Sequence, residues 1–269
     1  VSDGKVVKGS STRSALASGI PGQARGLVAV HRAHGALPLS VVCAPALSLA
    51  RDGFKVTGHF QRKTTRALSH FDAEARSIFL DAEGKALAVG ARIKQPDLAL
   101  TIERIIATKG EDFYTGATAR EMVRGVRQAG GIWTMKDLAH YTVKRRKVVS
   151  GSYKGYEVRS MPPPSSGGVL LIQMLGVLET FDLKGHGHNS AWTVHRMTET
   201  MKRAYAMRAK GLGDPDHYAV NNLDYMGPEV IARLVAEVKG SEHATPSSEI
   251  GQVRVRPDER TDTSHFGVL

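Results

Sequence analysis

Ser160-Met161-Pro162-Pro163-Pro164-Ser165-Ser166-Gly167-Gly168 sits where the hydrophobic pattern of the chain changes from that of a strand to that of a helix. Ahead of it, Val148–Tyr153 and Tyr156–Ser160 flank Lys154-Gly155 and read as the two strands of a hairpin. Behind it, Leu170, Leu171, Met174, Leu175 and Leu178 recur at helical spacing. The three prolines set a rigid, polyproline-like approach. The Ser-Ser-Gly-Gly turn then leaves bare backbone N–H groups at a helix N-terminus, which suits either an anion or a stiff connector.

Outward toward the N-terminus the pattern is mostly helical. Val1 to Ser18 is rich in Lys, Ser and Gly and reads as loop. Ile20-Pro21-Gly22 opens a helix that stops at Gly35. Leu39, Val42, Cys43, Ala46, Leu47 and Ala50 make one apolar helix face ending at Gly53, which places Cys43 in the core rather than in a nucleophile's role. Thr57 to His70 is a polar surface helix. Ser77–Leu80 and Ala86–Val89, around Asp81-Ala82-Glu83-Gly84-Lys85, predict a second hairpin. Pro96 starts a helix with Leu98, Ile102, Ile105 and Ile106 on one face, closed by Gly110; another runs from Ala117 to Gly130-Gly131. Thr134 to Asp137 forms a capping box for a short helix reaching His140.

Toward the C-terminus, His186-Gly187-His188 is a loop without the further ligands of a metal site. Ser190 to Lys210 is a long helix with Val194, Met197, Met201 and Tyr205 directed inward. Asp214 and Asp216 lie in a turn that lacks the additional spaced oxygen ligands calcium needs. A helix from Pro228 carries Ile231, Leu234, Val235 and Val238 on one face. Gly240 to Thr263 is polar and reads as a flexible linker.

The totals exclude several classes. The 269 residues are 41% hydrophobic and 23% charged, an ordinary globular balance, with no apolar run long enough to span a bilayer. A single cysteine rules out an intrachain disulfide and a multi-cysteine metal site. The net charge of +11 would draw polyanions, but the basic residues are scattered. Their one dense run, Lys144-Arg145-Arg146-Lys147, has no interleaved aromatics and reads as a solvated strand edge.

The chain ends on Asp262-Thr263-Ser264-His265-Phe266-Gly267-Val268-Leu269, a polar turn feeding a buried strand. It stops inside that strand and begins on Val1, and so reads as an internal piece of a longer polypeptide. A threonine at a chain start uses its own α-amine as the base for its own hydroxyl, because that amine titrates at about 7.7–8.0. Thr263 acquires that property only if the Asp262–Thr263 bond is cut.

With these segments placed, the chain resembles the γ-glutamyltranspeptidases, a family of N-terminal-nucleophile hydrolases. The resemblance rests on Ser18-Gly19-Ile20-Pro21-Gly22, Ala50-Arg51-Asp52-Gly53-Phe54, Phe113-Tyr114-Thr115-Gly116, the Ser160–Gly168 stretch, Gly213-Asp214-Pro215-Asp216 and Thr263-Ser264-His265-Phe266, in family order. It implies an α/β (α+β) fold, the helix-rich large-subunit portion of a four-layer αββα sandwich. It also implies a zymogen that cleaves itself between Asp262 and Thr263. Residues 1–262 would be most of the large subunit, 263–269 the start of the small one, and Thr263 the catalytic nucleophile. The implied donors are glutathione and other γ-glutamyl compounds; the acceptors are water or an amino-acid or peptide amine. The implied partner is the small subunit of the same precursor, with no cofactor, no metal, no nucleic acid and no transmembrane segment, in the periplasm or outside the cell.

Two departures stand out. Thr263-Ser264-His265 replaces the family's usual Thr-Thr-His and keeps a hydroxyl beside the nucleophile. The family's arginine for the substrate α-carboxylate lies in a segment outside this sequence, as do the oxyanion donors, so the substrate-binding residues are expected outside 1–269. An acylase acting on another amide would share the Thr263 chemistry, and a basic nucleic-acid-binding protein would share only the charge.

Overall fold

The computed structural model describes residues 10–250. The backbone divides into two compact units that part between Lys144 and Arg145.

The first unit runs α1 (Ser10–Arg13), α2 (Gln23–His34), α3 (Leu39–Arg51), β1 (Phe54–Lys55), α4 (Gly58–Ala67), α5 (Ala73–Phe79), β2 (Arg92–Ile93), α6 (Pro96–Thr108), α7 (Glu111–Thr115), α8 (Ala117–Gln128) and α9 (Met135–Ala139). Its core is built on Tyr114, fully buried among Ala119, Trp133 and Leu138. A buried phenol needs partners, and this one donates to the Pro21 carbonyl at 2.7 Å and accepts from the Arg25 amide at 3.0 Å. The Arg25 guanidinium lies 4.1 Å from the ring centroid. Trp133 Nε1 donates to the Ser18 carbonyl at 3.0 Å, so the Ser18–Gly22 stretch is tied to the core at both ends.

Asp112 turns its carboxylate back onto the start of α8, accepting from the amides of Ala117 and Thr118 and from the Thr118 hydroxyl. The Thr118 hydroxyl, more than any other group, holds the Asp112 carboxyl below the ordinary range. A Cβ at Gly116 would overlap that carboxylate, which explains the glycine. The capping box at Thr134 forms as expected: Asp137 N–H donates to Thr134 Oγ1 at 3.2 Å and Thr134 N–H to Asp137 Oδ2 at 2.7 Å.

Three expectations change here. The hairpin expected from Ser77 to Val89 reduces to one bridge, Leu80–Ala86, because Asp72 caps a helix at the Ala75 amide and Ser77 falls inside it. The short strand pairing is instead β1 with β2, Phe54 opposite Ile93, where Gly53 has φ +83° and the Ile93 backbone leaves no room for a side chain. The face expected on α3 is incompletely covered: Ala50 is buried and Leu39, Cys43 and Leu47 half-buried, but Ala46 is exposed and Val42 is 52% exposed. On α6, likewise, Ala99 is buried while Leu98 is exposed.

The second unit contains β3 (Val149–Tyr153), β4 (Tyr156–Ser160), α10 (Ser166–Leu178), α11 (Leu183–His186), α12 (Ala191–Gly211), α13 (Leu223–Met226), α14 (Pro228–Lys239) and α15 (Ser247–Ile250). The strands pair antiparallel from Val149–Ser160 to Tyr153–Tyr156, closing through Lys154 and Gly155 at positive φ. The basic run Lys144–Lys147 precedes the hairpin rather than edging it. Within it, Arg146 is engaged by Asp214 at 3.2 Å and Asp216 at 2.9 Å.

The proline stretch is a turn, with the Pro163–Pro164 peptide cis, in place of an extended approach. Ser165 caps α10 through the Gly167 amide at 3.4 Å, and Gly168 packs under the Met161 carbonyl oxygen where no Cβ fits. α10 is thereby set against β3, where Gly151 leaves room for Ile172. On its other side, Gln173, fully buried, donates to the Tyr225 carbonyl of α13 at 2.5 Å. Val177, Phe181, Leu234 and Val238 join α10 to α14.

Gly168→Ala is expected to lower stability by about 1–3 kcal/mol, because the clash is with backbone that cannot rotate away. Gly167→Ala, whose Cβ would meet only Ser165 Oγ at 3.6 Å, should change it by less than about 0.5 kcal/mol. Urea midpoints of the two variants check the contrast.

Candidate functional site

Glu199, Lys202 and Arg203 stand at i, i+3 and i+4 on α12, a spacing that brings both cations to one carboxylate. Glu199 has no exposed surface. Its Oε1 accepts from Lys202 Nζ at 2.7 Å and from the backbone amide of Thr245 at 3.1 Å. Its Oε2 accepts from Arg203 Nη1 at 2.7 Å. Lys202 Nζ also donates to the Thr245 carbonyl at 2.9 Å, so both backbone groups of Thr245 are taken by one helix. Arg203 Nε reaches across to Glu237 Oε2 on α14 at 3.1 Å. Burial alone would raise the Glu199 carboxyl, but the hydrogen bonds from Lys202, Arg203 and Thr245 outweigh it and hold it at about 2.

One turn earlier the same helix holds Ser241. His195 Nε2 lies 2.7 Å from the Ser241 carbonyl. The Arg196 guanidinium donates to the carbonyls of Val238, Lys239 and Ser241, closing the C-terminus of α14. That guanidinium packs against Phe181 and Trp192, 5.7 and 5.4 Å from the ring centroids. Residues 241–245 are therefore fastened side by side to α12, not a free linker. α15 follows, and its Ser247 and Ile250 face Met201, Lys202 and Tyr205 across a cleft of about 400 Å³.

This arrangement corrects the expected orientation of α12. Val194, Met197, Met201 and Tyr205 are 41–51% exposed, while Thr193, Glu199, Thr200, Arg203, Ala204 and Ala206 are buried. Small residues allow close approach and the charges neutralise one another, so the polar face is the packed one. The missed signal was the Glu-x-x-Lys-Arg spacing itself, an ion-pair pattern overshadowed by the apolar stripe beside it.

The predicted catalytic residue Thr263 and its neighbour Asp262 lie outside the described residues, as does the strand predicted over 264–269. Of the other candidates, Ser166 Oγ accepts from Arg208 Nε at 3.0 Å, so the turn before α10 is partly occupied by protein groups. His186 stacks on Trp192 at 3.7 Å, and Asp214 and Asp216 face Arg146. Among the described residues no three His, Cys, Asp or Glu side chains converge as metal ligands, and no helix is long and apolar enough to cross a membrane.

Compared with known proteins, residues 2–269 match the family described as gamma-glutamyltranspeptidase. The chain belongs to the γ-glutamyltranspeptidase family. It is 38% identical over 263 residues to the glutathione hydrolase proenzyme of Escherichia coli (strain K12), covering 96% of this chain and 45% of that protein. It is similar too, at 35% identity over 202 residues, to the acylase ACY 1 proenzyme of Pseudomonas sp. (strain SE83), covering 75% of this chain and 36% of that one. Among solved structures, Helicobacter pylori gamma-glutamyltranspeptidase superposes with a TM-score of 0.87 at 32% identity, covering 96% of this chain and 75% of that one. The chain thus spans less than half the length of the curated relatives it matches. Its fold is the helix-rich α+β arrangement of γ-glutamyltranspeptidases, within the N-terminal-nucleophile hydrolase class.

Four of the motifs read from the sequence have structural explanations: a core tie at Ser18–Gly22, a glycine forced at Gly53, the buried Tyr114 and the glycine forced by the Asp112 carboxylate in Phe113–Gly116, and the packed turn at Ser160–Gly168. Glu199→Gln is expected to destabilise the chain by about 3–5 kcal/mol at pH 7, since it leaves buried cations without their anion. A carboxyl held at about 2 contributes stability that is fully present above its ordinary value of 4.5 and is lost as pH falls toward 2. The difference between variant and parent should therefore shrink between pH 4.5 and 2, as read from urea unfolding at a series of pH values.

Proposed function

We propose that residues 1–262 are the large-subunit part of a precursor that cuts itself before Thr263. The whole protein then transfers or hydrolyses the γ-glutamyl group of glutathione and related amides. The observation that carries this reading is that the family match spans residues 2–269 and so includes Asp262-Thr263-Ser264-His265-Phe266. The word proenzyme in the names of relatives agrees with it.

Thr263 Oγ first attacks the Asp262 carbonyl, and the amide becomes an ester as the chain shifts from nitrogen to oxygen. Water then cleaves the ester, releasing the Asp262 carboxylate and the Thr263 amine. That amine takes the proton of its own hydroxyl as Oγ attacks the γ-amide carbonyl of the donor, and the donor's amine leaves with the proton. The γ-glutamyl ester on Thr263 is resolved by water or by an amino-acid or peptide amine. Ser264 keeps a hydroxyl beside the nucleophile. The small subunit is the partner, and the family resemblance points to the periplasm or the cell exterior as the place of action.

In the complete precursor, Thr263→Ala is expected to leave one uncut chain, whereas the parent gives two, the smaller beginning Thr263-Ser264. A variant that still splits there would assign the cut to another protease. The 1–269 chain by itself should release no chromogen from a γ-glutamyl anilide, with or without glycylglycine, beyond a Thr263→Ala control. In that chain the Thr263 nitrogen is an amide and no base, and two oxyanion donors outside the sequence account for roughly 5–8 kcal/mol more. A cut precursor that hydrolyses other amides but no γ-glutamyl anilide would make the protein an acylase.

A further inference from the structure

We infer that Glu199 and Lys202 are positioning residues for self-cleavage: they clamp Thr245 onto α12 and so fix the point from which the segment bearing the Asp262–Thr263 bond departs. The inference rests on the reading that this bond is cut by Thr263. It starts from an asymmetry in how the chain after α14 is held. Gly240 to Ile250 is polar and Gly-, Ser- and Pro-containing, and the four-residue α15 is the one regular element within it. Yet Thr245 makes no use of solvent for either backbone group: its amide goes to Glu199 Oε1 at 3.1 Å and its carbonyl to Lys202 Nζ at 2.9 Å.

The two anchors are themselves joined at 2.7 Å, and Glu199 is further locked by Arg203. Such a pair grips one residue at both its backbone donor and its backbone acceptor, in the two successive peptide groups that flank it, which fixes direction as well as position. Ser241 is held independently by His195 and Arg196, with Ser241 Oγ donating to the His243 carbonyl at 2.9 Å, so the stretch up to Thr245 runs a defined path. Arg203 supplies a second cation to Glu199 within the helix, and what Lys202 adds beyond charge balance is its bond to the Thr245 carbonyl.

Magnitudes separate a positioning role from simple tethering. Without the clamp the segment would still hang from Ser241, and lengthening a flexible tether by those few residues changes the chance of productive encounter by less than about twofold. A device that only shortened the tether would be kinetically silent. One that orients the departing chain shows a larger effect, because nucleophilic attack on a peptide carbonyl tolerates little misplacement.

The test uses two measurements on the complete precursor. In an uncut Thr263→Ala background, hydrogen exchange in the peptide spanning 240–250 is compared for Lys202→Met and its parent. Exchange at Thr245 should accelerate about tenfold, from loss of a hydrogen bond to a charged group, while the interior of α12 is unchanged. In the Thr263 precursor, at a temperature where both proteins are fully folded, Lys202→Met should lengthen the half-time of self-cleavage about threefold or more, and Lys202→Arg, which keeps a cation that can donate to two oxygens, should restore it. Unchanged exchange at Thr245, loosening of α12 as a whole, or cleavage within twofold of the parent would each overturn the proposal. A parent precursor that does not cut itself at all would instead overturn the function proposed above, and the exchange result would still stand on its own.

Discussion

A carboxylate with no access to water is the constraint around which the second unit is arranged. Glu199 can stay ionised only if its surroundings replace the water it has lost, and three donors do so: an ammonium, a guanidinium and a backbone amide. Each donor belongs to something else that must then be in place. Arg203 also reaches Glu237, so α14 lies along α12. The amide is that of Thr245, so the chain beyond α14 returns to the same helix. One buried charge thus specifies three neighbours, where an apolar contact would have specified none of them in orientation.

Several glycines act through a second kind of constraint, the exclusion of side-chain volume. Gly168 lets the end of β4 pass over the start of α10, and Gly151 lets Ile172 of α10 sit against β3. Gly116 admits the Asp112 carboxylate to the amides of α8. These contacts bring strand to helix and helix to helix at distances that any Cβ would forbid. They explain why such short motifs carry so much of the fold.

Much of this was legible in the sequence. The β3–β4 hairpin, the helices from Gln23, Leu39, Pro96, Ala117, Ser166, Ala191 and Pro228, and the Thr134 capping box follow from period, caps and punctuation. What was not legible depends on partners far away in the chain. The Glu-x-x-Lys-Arg spacing on α12 is local, but that it turns Thr200 and Ala204 rather than Met197 and Met201 inward is decided by those charges finding Glu237 and Thr245. The hairpin expected at Ser77 failed for a local reason instead: the Asp72 cap commits Ala73–Phe79 to helix before the strand pattern begins. Thr263 and its motif are read from the sequence and lie outside the described residues, while the clamp on Thr245 was hidden inside a segment whose composition reads as linker.

The proposed chemistry places the acyl group on Thr263. It is tested most directly by quenching the cut, complete protein during turnover of a γ-glutamyl donor and locating the ester by peptide mass spectrometry. A γ-glutamyl group is expected on the peptide that begins Thr263-Ser264-His265, with a free α-amine on the same residue. An ester on any other side chain, or a new N-terminus at any other position, would contradict it.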